Sequence, residues 1–217
     1  MIELKNVSKR FGMRQVLRDI NLTVNEGDII SITGKSGCGK TTLLNIIGFF
    51  EKQTSGEYFF QNKKILAQHH MSKIRNQYMG FVFQAYNLIP RLTVKENILL
   101  PIYYSLDRKK NKDRIKNIDS LLERYGLSHI ANSYVENISG GEKQRTCMAR
   151  AVVCDASLVV SDEPTGNLDE KNKHTVLQMF KEMNKEGKTI IIVTHDKDTA
   201  DIANVKYYLE EGRLYRH

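Results

Sequence analysis

Short apolar runs and alternations along the chain predict several β-strands. Apolar and polar residues alternate at 2–7 and at 20–24, which is typical of antiparallel strands buried on one face. Turns are expected at 11–12 and 25–28, where glycine interrupts the pattern. Five further short runs are mainly apolar, and each predicts a short strand; they lie at 29–32, 58–60, 81–83, 158–161 and 190–194.

Apolar residues at helical spacing predict helices between these strands. One helix is expected at 94–104, interrupted near Pro101, because proline lacks the N–H that a helix interior requires. Residues 67–76 are polar and weakly patterned, and we interpret them as a loop and a short helix. A further helix at 107–125 would carry along one face the residues Ile115, Ile118, Leu122 and Tyr125.

A glycine-rich stretch follows the strand predicted at 29–32. It fits the phosphate-binding pattern G-x-x-x-x-G-K-[ST] and consists of Gly34, Lys35, Ser36, Gly37, Cys38, Gly39, Lys40, Thr41 and Thr42. Its glycines permit a tight turn in which successive N–H groups point at an anion. Lys40 is expected to reach the β- and γ-phosphates, and the Thr41 hydroxyl is expected to bind Mg²⁺.

The residues on either side of this stretch decide between a phosphate loop and an ordinary glycine-rich turn. A strand precedes it, and a helix is predicted directly after it from Leu43, Ile46, Ile47 and Phe50. The loop therefore lies at a helix N-terminus, where the helix dipole favours phosphate. This arrangement predicts a nucleoside triphosphate site.

Polar side chains follow three other predicted strands. Gln84 follows 81–83, Asp162 and Glu163 follow 158–161, and His195 follows 190–194. Ligands of open parallel sheets bind outside the carboxyl ends of the strands, so these residues could meet the phosphate loop at one edge. Each residue alone is best interpreted as a polar strand end, but together they favour phosphoryl transfer.

This arrangement suggests a role for each residue. Asp162 would hold Mg²⁺, and Glu163 would orient or deprotonate the attacking water. Gln84 would bind the same water or the metal, and His195 would contact the γ-phosphate.

Charge and composition narrow the classes of protein. The chain of 217 residues carries a net charge of +8, which suits nucleic acid, an anionic membrane surface or simple solubility. No apolar run approaches 18 residues and the N-terminus lacks the apolar core of a signal peptide, so we expect a cytoplasmic protein. The three cysteines form no C-x-x-C pair, so we expect no zinc site. The basic run at 108–116 is interpreted as a solvated helix face rather than a nucleic-acid patch, because no aromatic residues interleave with its lysines.

Two other features are less easily explained. Phe11 lies in a turn and could be either a packing contact or a surface on which a base stacks. Ser139 and Glu142 form a capping-box pattern around Gly140 and Gly141, which weaken the helix start by roughly 1 kcal/mol each relative to alanine. These glycines expose backbone N–H groups, so the chain holds a second helix N-terminus suited to phosphate, although one nucleotide needs only one.

The order of these motifs, with Asn167-Leu168-Asp169 after the acidic pair, resembles the ATP-binding-cassette family over essentially the whole chain. The resemblance implies an α/β fold: a P-loop NTPase ABC ATPase core with an antiparallel β portion and an inserted α-helical subdomain at about 85–155. It implies that Phe11 stacks on adenine, where a tyrosine is common. It also implies that Ser139, Gly140 and Gly141 contact the γ-phosphate held by a second copy, and that Asp169 lies at that interface. Ile138 replaces the usual leucine and Glu142-Lys143 the usual glutamines, but neither change removes a phosphate contact.

Residues 162–169 resemble the branch of macrolide exporters and of lipoprotein-release and cell-division ATPases, and 95–101 also resemble bacteriocin export ATPases. The resemblance implies an ATP- and Mg²⁺-dependent ATPase that energises export of a peptide, bacteriocin or drug. Its partners would be a permease on a separate chain, contacted by the apolar segment 85–92, and a second copy of itself. We expect a bacterial protein at the cytoplasmic face of the cell membrane that binds no nucleic acid.

The sequence leaves two other classes of protein open. An ABC ATPase of DNA repair or translation would typically carry a coiled-coil insertion or two cassettes, which this chain lacks. A basic P-loop protein that binds nucleic acid would leave residues 139–145 unexplained and would show a salt-dependent affinity for DNA.

Overall fold

This computed structural model describes residues 1–65, 71–105 and 107–217, in which ten strands form two sheets. In chain order, the strands are β1 Ile2–Phe11, β2 Arg14–Val24, β3 Ile29–Thr33, β4 Ser55–Phe60, β5 Lys63–Lys64, β6 Met79–Phe83, β7 Leu158–Asp162, β8 Thr189–Val193, β9 Val205–Glu210 and β10 Arg213–Arg216. The helices are α1 Lys40–Ile47, α2 Met71–Tyr78, α3 Val94–Tyr103, α4 Arg108–Lys116, α5 Ile118–Arg124, α6 Gly140–Val152, α7 Glu170–Lys185 and α8 Lys197–Asp201.

The larger sheet has the order β10-β9-β3-β8-β7-β6, in which neighbouring strands are parallel except β10. The strands at its centre are rich in buried isoleucine and valine because both faces are covered, one by helices and the other by α1 and the second sheet. Their parallel pairing brings the carboxyl ends of β3, β6, β7 and β8 to one edge, as the sequence pattern predicts.

The smaller sheet is antiparallel, with the order β2-β1-β4-β5. Its first two strands are longer than the alternating pattern predicts and are separated only by residues 12–13. The turn predicted at 11–12 is therefore one residue later, and Phe11 is the last residue of β1, where it pairs with Arg14. Helix α1 is buried between the two sheets through Leu43, Leu44, Ile46 and Ile47. This packing holds the phosphate loop, which precedes α1, at the junction of the two sheets.

Helices α3 to α6 lie between β6 and β7 in the chain and differ from the prediction in two places. Helix α3 continues through Pro101, because Ile98, Leu99 and Ile102 are buried and a capping box of Thr93 and Glu96 closes its first turn. The single helix predicted at 107–125 is two helices, α4 and α5, separated by Asn117. Its predicted apolar face is correct for Ile118, Leu122 and Tyr125 but wrong for Ile115.

The exposure of Ile115 has a local cause. Its neighbour Arg114 donates to the Cys154 carbonyl (2.8 Å) and to the Asp155 carboxylate (3.0 Å). These bonds turn Arg114, instead of Ile115, toward the rest of the molecule, and Ile115 is 44% exposed.

Phe50 lies outside the helix to which its spacing assigns it. Helix α1 ends at Ile47, Gly48 caps it, and Phe49 has a φ of 59° that turns the chain away. Phe50 instead packs edge-on against Phe81 in the middle of β6, with ring centroids 4.7 Å apart.

Some predictions concern residues outside the ranges that the structure describes. The loop and helix predicted at 67–76 include 67–70, which are not described, and helix α2 begins at Met71. In the described residues no helix combines the length and the apolar character needed to cross a bilayer.

Candidate nucleotide site

The glycine-rich stretch forms a loop between β3 and α1, as predicted. Gly34 has a φ of 154°, and a Cβ there would lie 2.3 Å from the Leu209 carbonyl oxygen of β9, so no other residue fits. The Lys40 ammonium donates to the carbonyls of Gly34 (2.8 Å) and Lys35 (3.1 Å), so the loop curls around it. Gly39 precedes α1 in the left-handed conformation and supplies no side-chain cap, which leaves the N–H groups of the first helical turn facing the loop.

A cleft of about 510 Å³ opens beside this loop. Ten of the predicted site residues lie in its walls, namely six residues of the loop together with Phe11, Gln84, Asp162 and Glu163. The full set of wall residues is Phe11, Arg14, Val16, Ser36, Gly37, Gly39, Lys40, Thr41, Thr42, Gln84, Asp162 and Glu163. Arg14 and Val16 were not predicted. Their position at the start of β2, directly after the turn that follows Phe11, was the available signal.

Thr41 and Asp162 approach each other across the cleft. The Thr41 hydroxyl donates to Asp162 Oδ2 at 3.2 Å. Burial raises the pKa of Asp162, the hydrogen bond from Thr41 opposes this shift, the neighbouring Glu163 adds to it and Lys40 opposes it. A nearby positive charge stabilises the ionised form of a partly buried carboxyl, so Asp162 is suited to bind a cation.

Glu163 is held by the two residues that follow β8. Its Oε2 accepts from the Thr194 hydroxyl (2.9 Å) and from the His195 N–H (3.3 Å). Its Oε1 lies 2.7 Å from His195 Nδ1. The structure therefore brings Glu163 and His195 together, although His195 is absent from the cleft walls and its side chain is 72% exposed.

The sequence pattern does not identify Thr194 as a functional residue, because Thr194 is the last residue of the strand predicted at 190–194. Its position directly before His195 was the available signal. Thr194 is completely buried, so its bond to Glu163 is shielded from water.

Phe11 lies at the mouth of the cleft. Its ring is 48% exposed, and the Lys9 ammonium lies 4.6 Å from the ring centroid. Lys9 is itself fixed by the Glu51 carboxylate at 2.7 Å. One ring face is therefore in contact with a cation, and the ring is available to a ligand in the cleft.

Gln84 lines the cleft with an exposed side chain. The backbone carbonyl oxygen of Gln84 accepts from the Asn167 side-chain amide at 3.2 Å. A Cβ on Gly166 would lie 2.9 Å from Gln84 Nε2. Gln84 is thus packed against the loop that follows Glu163.

The start of α6 does not line this cleft. The Ser139 hydroxyl lies 2.6 Å from Glu142 Oε2, and the Ser139 N–H donates to the same oxygen at 2.8 Å, which closes the predicted capping box. The hydrogen bonds from Ser139 lower the pKa of Glu142. Gly140 and Gly141 form the first turn of the helix, as predicted.

Asp169 caps α7 beside the start of α6. Its carboxylate accepts from the Asn172 N–H at 2.8 Å. A Cβ on Gly141 would lie 2.2 Å from Asn172 Oδ1, so glycine permits this contact between the two helix starts. Residues 139–141 and Asp169 therefore form one surface, separate from the cleft that holds the phosphate loop.

The sequence of this chain is similar to a known protein family. Residues 17–166 match the sequence profile of the ABC transporter family. The chain belongs to this family. The membership confirms the family predicted from the motifs, and with it the ATPase activity of an ABC cassette.

Relatives cover the whole chain. The uncharacterized ABC transporter ATP-binding protein YvrO of Bacillus subtilis is 40% identical over 99% of this chain and 95% of its own length. The macrolide export ATP-binding/permease protein MacB of Campylobacter jejuni is 38% identical over 99% of this chain, which spans 33% of MacB. The match to MacB confirms the predicted branch of macrolide exporters and of lipoprotein-release and cell-division ATPases.

Two solved structures of MJ0796 from Methanocaldococcus jannaschii confirm the predicted fold class. One is a dimeric ABC transporter cassette with a TM-score of 0.87 and 38% identity, covering 100% of this chain and 97% of that chain. The other is a dimeric post-hydrolysis state bound to ADP and Pi, with a TM-score of 0.87 and 36% identity, covering 100% and 98%.

Proposed function

We propose that this cassette binds ATP in the 510 Å³ cleft and hydrolyses it to energise export by a permease on a separate chain. One observation carries the proposal: the cleft joins a phosphate loop to Thr41, Asp162 and Glu163. These groups are the ones that phosphoryl transfer requires, because its catalysis consists mainly of positioning and charge neutralisation. The export role is supported by the relationship to MacB, which is named for macrolide export.

The donor atoms in the cleft fit Mg²⁺. Thr41, Asp162 and Gln84 offer hydroxyl, carboxylate and amide oxygens, and the first two lie 3.2 Å apart. Among the described residues no group of three or more His, Cys, Asp or Glu side chains could hold a metal. This is consistent with Mg²⁺, which is commonly held by one or two protein ligands together with substrate phosphates. When bound, it would neutralise charge on the phosphates.

Side chains and backbone groups of this chain would bind the nucleotide and activate the attacking water. Lys40 and the N–H groups of residues 36–42 would bind the phosphates. Glu163 would take a proton from the attacking water, and Gln84 would orient that water. His195, hydrogen-bonded to Glu163, would contact the γ-phosphate. Phe11 would stack on the adenine.

The second surface would complete the site of another copy. Ser139, Gly140, Gly141 and Asp169 lie together but do not line the cleft of their own chain. In a dimer like those solved for MJ0796, they would face the ATP held by the partner. Two ATP molecules would then lie between two copies.

The permease would dock beside the helices at 85–155, which we propose form an inserted helical subdomain. A groove of about 330 Å³ lies next to the segment 85–92 and is lined by aromatic rings at positions 50, 81 and 83 and by Arg75 and Arg150. Arg150 donates to the carbonyls of Tyr86 (2.7 Å) and Asn87 (2.6 Å), so this segment is tied to α6. Docking there would place the chain at the cytoplasmic face of a bacterial cell membrane.

Replacing the proposed base tests the ATPase mechanism. Glu163→Gln keeps the shape of the side chain but removes its basicity, so we expect the rate of ATP hydrolysis to fall by about 10²–10⁴ while ATP still binds. Phosphate release and nucleotide binding should be measured on the same preparations. Glu182→Gln, on the exposed side of α7, is the matched control and should hydrolyse ATP at the wild-type rate. Hydrolysis by Glu163→Gln at the wild-type rate would show that Glu163 is not the base.

A further inference from the structure

A polar network behind Glu163 connects it to helix α7. Residues 194–195 make all three of the hydrogen bonds that the Glu163 carboxylate receives from described residues. The position of this carboxylate therefore depends on how the segment 194–196 is held. The Asp196 N–H donates to the Thr194 hydroxyl at 3.0 Å, and that hydroxyl donates to Glu163 Oε2 at 2.9 Å.

The Asp196 carboxylate is the anchor of this segment. Its Oδ2 accepts from the Thr199 hydroxyl at 2.6 Å and from the Thr199 N–H at 3.3 Å. The Thr199 hydroxyl also lies 2.8 Å from the Thr165 hydroxyl, in the loop after Glu163. Burial alone would raise the pKa of Asp196, but the hydrogen bonds from Thr199 and Lys173 outweigh it and lower the pKa.

Lys173 supplies the positive charge in this network. Its ammonium lies 3.0 Å from the Asp196 carboxylate and 2.7 Å from the Asp198 carboxylate. Its side chain is only 12% exposed, unlike the lysines of ordinary surface pairs, which contribute little. Without Lys173, the carboxylates of Asp196 and Asp198 would be left near each other without a cation.

Lys173 also belongs to the helix whose start carries Asp169. Its backbone N–H donates to the Asp169 carbonyl at 2.8 Å, in the first turn of α7. It therefore links the surface proposed to face a second copy with the segment that holds Glu163.

We propose that Lys173 is a positioning residue for ATP hydrolysis: it holds Asp196, which orients Glu163 through the Thr194 hydroxyl. This inference rests on the proposed function of Glu163 as the base. Among the described residues the Lys173 ammonium pairs with Asp196, Asp198 and, at 4.0 Å, Glu170, and none of these lines the nucleotide cleft. Lys173 should therefore affect the chemical step rather than the binding of ATP.

Lys173→Met tests this role by removing the ammonium and keeping most of the stem. We expect kcat to fall between about tenfold and a hundredfold, because small misplacements of catalytic groups have effects of this size. The KM for ATP should stay within about twofold of the wild-type value, because the substitution removes no contact with the bound nucleotide. Lys173→Arg should restore most of kcat, and Lys181→Met, at an exposed lysine of the same helix, should match the wild type.

A double-mutant cycle separates positioning of Glu163 from a general structural role. If Lys173 acts through Glu163, Lys173→Met should not lower kcat further in a Glu163→Gln background, measured in single turnovers. Should Lys173→Met fail to fold, as judged by thermal unfolding, Asp196→Asn provides the same comparison and should reproduce the loss of kcat.

Three results would overturn the inference. The first is an unchanged kcat in Lys173→Met. The second is a double variant whose loss of kcat is the product of the two single losses, and the third is a kcat that Lys173→Arg does not restore. Failure of the proposed function has a different signature, because Glu163→Gln itself would then hydrolyse ATP normally. An inactive Glu163→Gln beside a fully active Lys173→Met would contradict only the role of Lys173.

Discussion

At the scale of single residues, a substitution at Phe11 distinguishes a packing contact from a surface on which the base of ATP stacks. Its half-exposed ring contributes little to the core, whereas stacking on a base is worth about 1–3 kcal/mol. Phe11→Ala should therefore weaken ATP binding by roughly 5- to 150-fold, with little change in the melting temperature. Titration with a fluorescent ATP analogue would measure this, and Phe11→Tyr should bind normally. Wild-type affinity in Phe11→Ala would favour a packing role.

Asp162 illustrates a conflict between stability and function. Burial raises the pKa of this carboxyl in the folded chain, so its ionised form lowers stability at neutral pH. This cost is fully present above the folded-state pKa, shrinks as the pH falls from there, and is lost below the lower pKa of the unfolded chain.

Asp162→Asn should therefore raise the melting temperature at neutral pH and abolish Mg²⁺-dependent hydrolysis. Each 1 kcal/mol corresponds to about 2–4 °C in a chain of this size. Thermal scans at pH 7 and pH 4 would check the sign, because the advantage of the variant should shrink at the lower pH. A lower melting temperature at pH 7 would contradict the argument.

At the scale of elements, the segment 85–92 connects the cleft to the proposed permease surface. Leu88 and Leu92 are half-buried, with Leu88 packed against the core, whereas Ile89 is 45% exposed. Ile89 is thus the better residue for a substitution that spares the fold.

Ile89→Asp should abolish co-purification with a tagged permease from detergent, because it places a charge on an apolar contact. ATP binding by the isolated chain should be unchanged. Ile115→Asp, at an equally exposed isoleucine of α4, is the control and should co-purify normally. Normal co-purification of folded Ile89→Asp would place the contact elsewhere.

The sequence pattern predicted those elements whose signal is local. The strands that supply the site are continuous apolar runs, and their polar ends converge because neighbouring strands of the large sheet around β3 are parallel. The path of α3 through Pro101 and the break at Asn117 depend on burial and on the distant partners of Arg114, which a local pattern does not contain. Strands β9 and β10 and helix α7 were not predicted.

The same reasoning applies to the site. The rule that ligands lie beyond the carboxyl ends of parallel strands found Gln84, Asp162 and Glu163. It missed Thr194 and Lys173, whose importance comes from contacts across the fold rather than from a motif.

At the scale of the whole molecule, the two phosphate-ready helix starts imply shared sites. Mixing Lys40→Ala chains with Ser139→Arg chains should rebuild one intact site per mixed dimer, since each chain supplies what the other lacks. The mixture should therefore hydrolyse ATP faster than either variant alone. Activity that never exceeds the sum of the separate variants would contradict shared sites.

The packing of Gly34 against Leu209 has a consequence for biosynthesis. Strand β3 pairs with β8 and β9, which a ribosome makes more than 150 residues later, as the pairing of Ile30 with Ile191 and Val205 shows. At 5–20 residues per second, the phosphate loop would wait roughly 10–35 s for the strand that shapes it. Until then a nascent chain would expose the isoleucines of β3, so we expect unfinished chains to need chaperones and to be unable to use ATP.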